Sequence, residues 1–494
     1  MTPARGVIAA GHPATAEAGA WALREGGNAV DAAVAAVCAS LVAESPLTGL
    51  GAGGYMLISL PSLERPVLLD FFVVAPGLDG DRRASELVPI EVDFGDTTQV
   101  FNIGPASCGV PGVPSGLAAA AERFGSMPLA DLVVPAVRLA REGFEITPQH
   151  AYLFEILAPI LAREPAGAAV YAPEGRMLGN GERLIFAELA ETLERLGADG
   201  PEPFYRGDIA AAIAATVRDG GGTLSAADLE GYETAVRDPG RARYGGCEIL
   251  TNPPPSSGGV LIAYALELLT RAGGATDPVS VVEVMEQAQS ARTREFLEGL
   301  YEPGFEARFL ADRLGSTTHI TALDGDGGCA SVTCSNGSGS GVFVPGTGIQ
   351  LNNMLGEEDL NPFGFHATRP GRRMPSMMSP TIALRDRQLV LGLGSGGSNR
   401  IRSAVLQTIV RYLGDGLGLA DAVRAPRVHF EAGVVHAEPG IDPEALDRLE
   451  ASGYRVVRWR APNLFFGGVH AVAAGHEHPE GVGDPRRGGA VAYA

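Results

Sequence analysis

The sequence has few cysteines, few basic residues for its length and no long apolar run, and each of these absences excludes a class of protein. Its five cysteines among 494 residues are widely spaced and form no CxxC pair, which argues against a disulfide framework and against a zinc site. Lys and Arg number 38 against 58 Asp and Glu, a formal charge of −20. Nucleic acids and anionic membranes bind clusters of basic residues, so we expect neither as a partner.

The longest apolar stretch covers residues 30–43 and is too short to span a bilayer. The first residues show no signal-peptide pattern, so we expect a cytoplasmic location. Hydrophobic residues make up 45% of the chain and charged residues 19%, which is typical of a globular protein with a large core.

The first part of the chain predicts mainly helices, and the part after residue 317 predicts mainly strands. Residues 13–24 and 29–43 predict two helices, and the second is apolar on every side, which is typical of a buried helix. Asn28 can cap it. Further helices are predicted at residues 129–142, 187–196, 208–218 and 260–269, and strands at residues 55–60, 67–75, 319–323 and 329–334.

The character of the sequence changes at Ser316, Thr317, Thr318 and His319, where a charged, helix-like run gives way to short β-like segments. A pair of small hydroxyl residues is compatible with an ordinary strand start. It is also where a self-cleaving hydrolase keeps the threonine that becomes a new N-terminus. The tetrapeptide alone does not decide between the two.

Residues 392–397 fit the pattern GxGxxG between a predicted strand and a helix predicted at residues 398–413, which raises a dinucleotide-binding oxidoreductase as an alternative. We discount it, because no strand follows the helix to complete a βαβ unit and Asp415 lies in a glycine-rich turn. Gly396 and Gly397 still present backbone N–H groups at a helix N-terminus, a site suited to a developing oxyanion.

Two short motifs resemble metal sites. His476, Glu477 and His478 lie among Gly and Pro without a third supporting ligand. Residues 324–328 resemble part of a calcium loop, but the twelfth position is Ser335 and not glutamate, so a hairpin turn is the better prediction. We expect no metal and no cofactor.

Eleven segments, taken in order, resemble the γ-glutamyltranspeptidase family of N-terminal-nucleophile hydrolases over nearly the whole chain. They are residues 23–33, 51–56, 108–112, 124–129, 204–207, 253–259, 317–319, 351–353, 378–381, 396–397 and 483–486. The resemblance implies an α/β fold, a four-layer αββα sandwich made as one precursor that cleaves itself between Ser316 and Thr317. Residues 1–316 would form the large subunit and residues 317–494 the small, catalytic subunit of one interlocked domain.

The resemblance also implies roles for individual residues. Thr317 would be the nucleophile, and its freed α-amine, with a pKa of about 7.7–8.0, would take the hydroxyl proton near neutral pH. Gly396 and Gly397 match the family's oxyanion-hole pair. Ser335 lies where the family has a threonine that supports the nucleophile, and Asn336 lies near its substrate-contacting asparagine.

The substrate-binding positions depart from the family pattern. Phe72 stands where an arginine holds the α-carboxylate of a glutamyl group, and Ser376 and Met377 keep only one of two serines that bind the same carboxylate. Met354 replaces a Gln or Glu, and Glu357 an Asp, at the positions that hold the α-amine. The catalytic positions are thus kept while the pocket becomes more apolar.

The leading hypothesis is an autoprocessed amidohydrolase or acyltransferase with water or an amine as acceptor. Its small-molecule substrate would be a γ-glutamyl compound or, as we prefer, a related amide with a less polar acyl group. The family also includes cephalosporin acylases and enzymes that remove side chains from antibiotic precursors. A catalytically inactive binding homologue is the alternative from another class. If Arg369 or Arg372 reached the pocket, either would replace the missing arginine.

Overall fold

The strands and helices below are those of a computed structural model, which describes residues 6–94, 98–274, 276–290, 294–302, 318–361, 363–475 and 478–494. Its strands are β1 Gly6–Ala10, β2 Gly53–Ser59, β3 Val67–Phe71, β4 Val88–Asp93, β5 Thr98–Ile103, β6 Phe144–Glu145, β7 Arg183–Leu184, β8 Ala235–Arg237, β9 Gly240–Tyr244, β10 Cys247–Thr251, β11 Thr318–Asp324, β12 Cys329–Ser335, β13 Phe343–Val344, β14 Ile349–Gln350, β15 Thr381–Arg385, β16 Gln388–Gly396, β17 Val428–Glu431, β18 Val434–Ala437, β19 Arg455–Arg458, β20 Gly468–Ala473, β21 Glu480–Val482 and β22 Ala490–Tyr493.

The α-helices of the same residues are α1 Pro13–Arg24, α2 Ala29–Ala43, α3 Val113–Phe124, α4 Leu129–Leu132, α5 Val134–Glu142, α6 Pro148–Leu161, α7 Pro165–Tyr171, α8 Ala187–Asp199, α9 Glu202–Tyr205, α10 Asp208–Asp219, α11 Ala226–Glu230, α12 Ser257–Arg271, α13 Pro278–Ser290, α14 Arg294–Gly299, α15 Arg400–Ile409, α16 Leu419–Arg424 and α17 Pro443–Ala451. Short 3₁₀ turns cover Pro105–Ser107, Met354–Gly356, Glu358–Leu360, Leu464–Phe466 and Pro485–Arg487, and a π-helical turn covers Val410–Gly414.

Two large antiparallel sheets form the centre of the molecule. The first has the strand order β22-β1-β11-β12-β2-β3-β8, and the second has the order β21-β20-β16-β15-β10-β9. The first sheet contains strands from both sides of residue 317, and β1, which precedes it, lies between β22 and β11, which follow it. The second sheet joins β10, from before residue 317, to β15, from after it.

The two sheets face each other, and each carries helices on its outer side. Strands β11 and β12 contact β16 of the second sheet, α1, α2 and α3 cover the outer face of the first sheet, and α12 and α15 cover that of the second. This is the four-layer αββα arrangement that the family resemblance predicts. None of the described helices combines the length and apolarity needed to cross a membrane.

The side chains of the strands alternate between two cores, as the period of two in a β-strand requires. In the first sheet, Ile8, Met56 and Ile58 pack towards the helices. Their chain neighbours Tyr55 and Leu57 pack into the core between the sheets.

Helix α2 is the central helix, as its all-round apolar sequence predicts, and all fifteen of its residues are buried. Its N-terminus is closed by a capping box. The Asn28 side chain accepts from the Asp31 N–H (3.1 Å), and the Asp31 carboxylate accepts from the Asn28 N–H (2.8 Å). Because Ala and Val side chains are small, β11 and β12 approach this helix closely.

Several predicted elements differ in their bounds; the strand predicted at residues 67–75, for example, ends at Phe71. Two of the differences have a backbone cause. The helix predicted at residues 129–142 is divided into α4 and α5 at Val133, because the ring of Pro135 cannot follow an intact helical turn. The helix predicted from residue 398 begins at Arg400, because Ser398 has φ +55°.

The sheet topology argues against the dinucleotide-binding alternative. Strand β16, which carries residues 392–396, pairs antiparallel with β15 and β20. A βαβ unit needs a parallel neighbour reached through the helix. The predicted hairpin turn at residues 324–328 is confirmed, since β11 and β12 pair antiparallel across it.

Candidate active site

Strand β11 begins at Thr318, and a buried carboxyl group holds this first residue. The Thr318 hydroxyl donates to Glu44 Oε2 (2.9 Å), and the Thr15 hydroxyl donates to Glu44 Oε1 (2.8 Å). Burial raises the pKa of Glu44 to about 7, against the opposing effects of these hydrogen bonds and of Arg487. Ser316 and Thr317, the predicted cleavage site and nucleophile, lie outside the described residues.

The His319 side chain forms hydrogen bonds within the first sheet and packs against the second. Its Nδ1 lies 2.9 Å from Thr333 Oγ1 and its Nε2 lies 2.7 Å from Thr321 Oγ1. Burial lowers the pKa of His319 well below its usual range, so the ring is neutral at physiological pH. A Cβ atom at Gly394 of the facing strand would come within 2.4 Å of the ring, which explains the glycine there. The start of β11 is therefore surrounded by buried side-chain contacts from both sheets.

Ser335 stands beside the start of β11. In the β11–β12 ladder Thr318 pairs with Cys334, and Ser335 directly follows that partner as the last residue of β12. Its hydroxyl accepts from the Gly337 N–H (2.7 Å). Ser335 therefore lies at the end of the ladder where β11 begins, and Thr317 is the residue before β11 in the chain.

Asn336 has a buried side-chain amide without a hydrogen-bond partner among the described residues, at both its oxygen and its nitrogen. Its backbone is anchored, because its N–H donates to the Leu47 carbonyl and its own carbonyl accepts from Asn353 N–H, both at 3.0 Å. Buried amides are nearly always hydrogen-bonded. The unpaired amide makes Asn336 a candidate ligand contact, but the residue is fully buried and is not among those that line the cleft described below.

Gly396 is the last residue of strand β16, and Gly397 follows it near the N-terminus of α15. Gly397 has φ +124°, a conformation that favours glycine, and a Cβ there would come within 2.9 Å of Gly467 Cα. Both the backbone angle and the close approach exclude a larger residue.

Ser335 and Gly397 line one cleft. Its walls are mostly apolar, and two arginines and two further serines contribute the polar part. The other lining residues are Leu47, Phe94, Phe101, Leu153, Ile156, Leu157, Gly337, Ser338, Ser398, Arg400, Leu464 and Arg487. Two of the four catalytic positions predicted from the sequence are thus brought to the same cleft.

Phe72 and Met354 lie away from this cleft, in the core between the sheets. Phe72 is fully buried and stacks on Tyr55, with ring centroids 5.4 Å apart and an interplanar angle of 22°. Met354 is 1% exposed and belongs to the same apolar cluster, together with Met374 and Met378. The place that an arginine would occupy is therefore filled by packed apolar side chains.

Ser376 and Met377 are used in packing against the start of α12. The Ser376 carbonyl accepts from the N–H groups of Ser257 (2.8 Å) and Gly258 (3.2 Å), and its hydroxyl accepts from the Met378 N–H (3.1 Å). Met377 is fully buried. Neither residue lines the cleft of Ser335 and Gly397.

Glu357 keeps its carboxyl group next to the cleft. Its Oε1 accepts from Asn353 Nδ2 (3.1 Å) and from the N–H of Ser338 (3.3 Å), which is a lining residue. Burial, and then the nearby Asp359, raise the pKa of Glu357 to about 7.

Neither of the two arginines considered as replacements for the missing cation lines the cleft. Arg369 is exposed, and the Arg372 guanidinium lies 3.7 Å from the centre of the Tyr301 ring. Arg373 reaches Phe72 instead, donating from Nη1 to its carbonyl (2.6 Å) while pairing with Asp70 (3.2 Å). The sequence showed no signal for this contact, because it depends on the chain folding back over β3.

Two further residues were missed by sequence reasoning. Arg400 and Arg487 both line the cleft, although they are 87 positions apart in the chain. Arg400 follows the glycine pair at the first position of α15, so its proximity to Gly397 was available as a signal. Arg487 had none, since only the fold brings the C-terminal segment to this place.

Comparison with known proteins gives matches along nearly the full chain. The family model described as gamma-glutamyltranspeptidase matches residues 15–303 and 301–494. The acylase ACY 1 proenzyme of Pseudomonas sp. (strain V22) is 34% identical over 96% of this chain and 90% of its own length. The glutathione hydrolase proenzyme of Bacillus subtilis (strain 168) is 30% identical over 98% and 91%. The crystal structure of cephalosporin acylase from Bacillus halodurans is similar with a TM-score of 0.82 and 25% identity, covering 99% of this chain and 96% of that one.

Proposed function

Because the chain belongs to the γ-glutamyltranspeptidase family, a family of hydrolases and transferases, we propose that it is a self-cleaving amidohydrolase or acyltransferase whose nucleophile is Thr317. The observation that carries this proposal is the convergence of three elements. Ser335 ends β12, beside the start of β11, Gly397 follows β16, and Ser335 and Gly397 share one cleft.

The first reaction we propose is cleavage of the chain itself. The Thr317 hydroxyl attacks the carbonyl carbon of Ser316, the peptide nitrogen leaves as the Thr317 α-amine, and water hydrolyses the resulting ester. Similar relatives are named proenzymes. Because strands from both sides of residue 317 are paired with each other in the first sheet, the two products would stay associated after the cut.

The second reaction uses the same hydroxyl on an amide substrate. The α-amine of Thr317 takes the hydroxyl proton, the oxygen attacks the amide carbonyl, and the N–H groups at Gly396 and Gly397 stabilise the negative oxygen. The amine product leaves with the proton, and water or a second amine then releases the acyl group. Ser335 would orient the nucleophile, because its hydroxyl lies beside the start of β11.

For the substrate, we propose an amide whose acyl group lacks the paired α-amine and α-carboxylate that form the charged head of a glutamyl residue. The support is the filling of the expected head pocket by Phe72 and Met354, which leaves the substrate the largely apolar cleft of Ser335 and Gly397. A relative at 34% identity is named as an acylase. A γ-glutamyl amide is the second candidate, favoured by the carboxyl group of Glu357 beside the cleft and by the relative named a glutathione hydrolase.

Intact mass spectrometry of the purified protein, before and after mixing with a panel of acyl amides, tests this proposal. We expect two chains of 316/494 and 178/494 of 51.1 kDa, about 33 and 18 kDa, and acyl adducts on the smaller one. A single unmodified chain with every amide would favour the inactive binding homologue.

A variant of Asn336 separates a ligand-binding role from a structural one. Because its amide has no partner to lose, we expect Asn336→Ala to lower kcat/KM about tenfold or more while changing the melting temperature little. The matched control is Asn353→Ala, which removes bonds to Ser338 Oγ (2.9 Å) and Glu357 (3.1 Å) and should lower the melting temperature clearly. Equal thermal losses in the two variants, with kcat/KM retained in Asn336→Ala, would contradict the binding role.

A further inference from the structure

A buried arginine, Arg400, and a half-buried one, Arg487, line the cleft of Ser335 and Gly397. Arg400 is 6% exposed and begins helix α15, and Arg487 ends the 3₁₀ turn Pro485–Arg487. A Cβ atom on Gly397 would lie 3.1 Å from Arg487 Nη2, so this guanidinium is directly beside the glycine pair. Both arginines line the cleft.

The hydrogen-bond partners of both guanidinium groups are neutral. Arg400 donates from Nε to the Phe465 carbonyl (3.0 Å) and from Nη1 and Nη2 to Gln99 Oε1 (3.4 and 3.3 Å). Arg487 donates from Nη2 to the Leu464 carbonyl (3.3 Å), and its buried Nε has no partner among the described residues. Two fixed cations therefore keep unused capacity for an anion.

Burial lowers the pKa of Arg400, and the nearby carboxyl groups of Glu431, Asp359 and Glu357 oppose this shift. Of the carboxyl groups near Arg487, Asp484 is engaged with other arginines. Asp484 pairs with Arg427 (2.6 Å) and with Arg486 (3.2 Å), and Arg486 also pairs with Glu438 (2.6 Å). In the described part of the chain, no carboxylate forms an ion pair with either arginine of the cleft. Buried arginines are usually paired, so the buried guanidinium of Arg400 differs from those of Arg427 and Arg486, which are paired with carboxylates.

The two arginines place positive charge at the cleft of a protein whose formal charge is −20. Burial, followed by the repulsion from Arg400, lowers the pKa of Arg487 to about 10, so it remains protonated near neutral pH. Glu44 and Asp484 oppose this shift. An anion bound between the two guanidinium groups would relieve their repulsion and complete their hydrogen bonds.

We propose that Arg400 and Arg487 form a carboxylate-binding subsite, so that the amide substrate carries a carboxylate on an otherwise apolar body. This inference rests on the proposed function. The apolar walls of Phe101, Leu153 and Leu157 would contact the body of the substrate. The subsite is separate from the family's arginine position, because Phe72 and its packed neighbours lie outside the cleft.

The carboxylate can belong to the acyl chain or to the leaving amine, and three chromogenic amides distinguish the two sources. They are pentanoyl-4-nitroanilide, 4-carboxybutanoyl-4-nitroanilide and the pentanoyl amide of 5-amino-2-nitrobenzoate. The second adds a carboxylate to the acyl chain, and the third adds one to the leaving amine. We expect the wild-type enzyme to cleave one of the carboxylated amides with a kcat/KM at least about tenfold above that of the first.

Substitutions test whether the two arginines cause the preference for the carboxylated amide. Arg487→Gln and Arg400→Gln should each reduce it to near one, and Arg487→Lys should keep part of it because it keeps the charge without the fork of donors. The matched control is Arg424→Gln, which removes an exposed positive charge from the neighbouring groove that Arg487 also lines. It should leave the preference unchanged.

The outcomes separate this inference from the proposed function. A processed enzyme that cleaves the three amides at equal rates, prefers the uncarboxylated one or cleaves none overturns the subsite, whatever the stability of the variants. Preference that survives both Gln substitutions also overturns it. A chain that stays whole and forms no acyl adduct overturns the proposed function instead.

Discussion

In Thr317→Ala, we expect the protein to remain one chain of about 51 kDa and its amide hydrolysis to fall by at least about 10⁴-fold. The substitution removes the hydroxyl that would attack the Ser316 carbonyl, and without that cut no free α-amine forms to act as the base. Nucleophile and base are thus lost together. A denaturing gel and intact mass report the cleavage, and release of 4-nitroaniline reports the hydrolysis.

Two controls make this result specific. Thr317→Ser keeps a hydroxyl at the same position, so processing and measurable turnover should persist. Thr318→Ala removes the hydrogen bond to Glu44 (2.9 Å) at the next residue, and it should lower stability while leaving cleavage possible. Full processing and activity in Thr317→Ala would show that another residue is the nucleophile.

The glutamyl head group should be a poor fit to this protein. We expect kcat/KM for γ-glutamyl-4-nitroanilide to lie at least about a hundredfold below that of the fastest 4-nitroanilide in a panel of acyl groups without the α-amine. The reason is that Phe72 and Met354 offer no partner to the α-carboxylate and α-amine of the glutamyl group. Removing one partner of a buried charge pair costs about 2–5 kcal/mol. Comparable turnover of γ-glutamyl and other acyl groups would contradict this reading of the pocket.

The same pocket predicts a measurable penalty for restoring the cation. Phe72→Arg should lower the free energy of unfolding by about 3 kcal/mol or more, because it buries a charge against Tyr55 and displaces their stacked rings. In the folded fraction, kcat/KM for γ-glutamyl-4-nitroanilide should rise relative to wild type. Phe72→Leu is the matched control, with a loss of about 1 kcal/mol and no such gain.

Local patterns predicted much of the architecture. The capped, all-apolar helix α2 and the hairpin of β11 and β12 follow from periodicity, capping residues and turn glycines, which act over a few positions. The αββα fold followed from the resemblance of eleven collinear segments. Two of the errors in bounds came from single residues that constrain the backbone, the ring of Pro135 and Ser398 at φ +55°.

The sequence by itself determined the chemistry proposed for this protein, because motif residues at Thr317, Ser335 and Gly397 carry it in a fixed order along the chain. It also showed that the glutamyl-binding residues had changed. Only the tertiary structure decided what fills their place and what lies beside the glycine pair. Phe72 and Met354 pack in a core between sheets, and Arg487 meets Arg400 across 87 positions. Such contacts depend on how distant strands and turns are brought together, which no local pattern records.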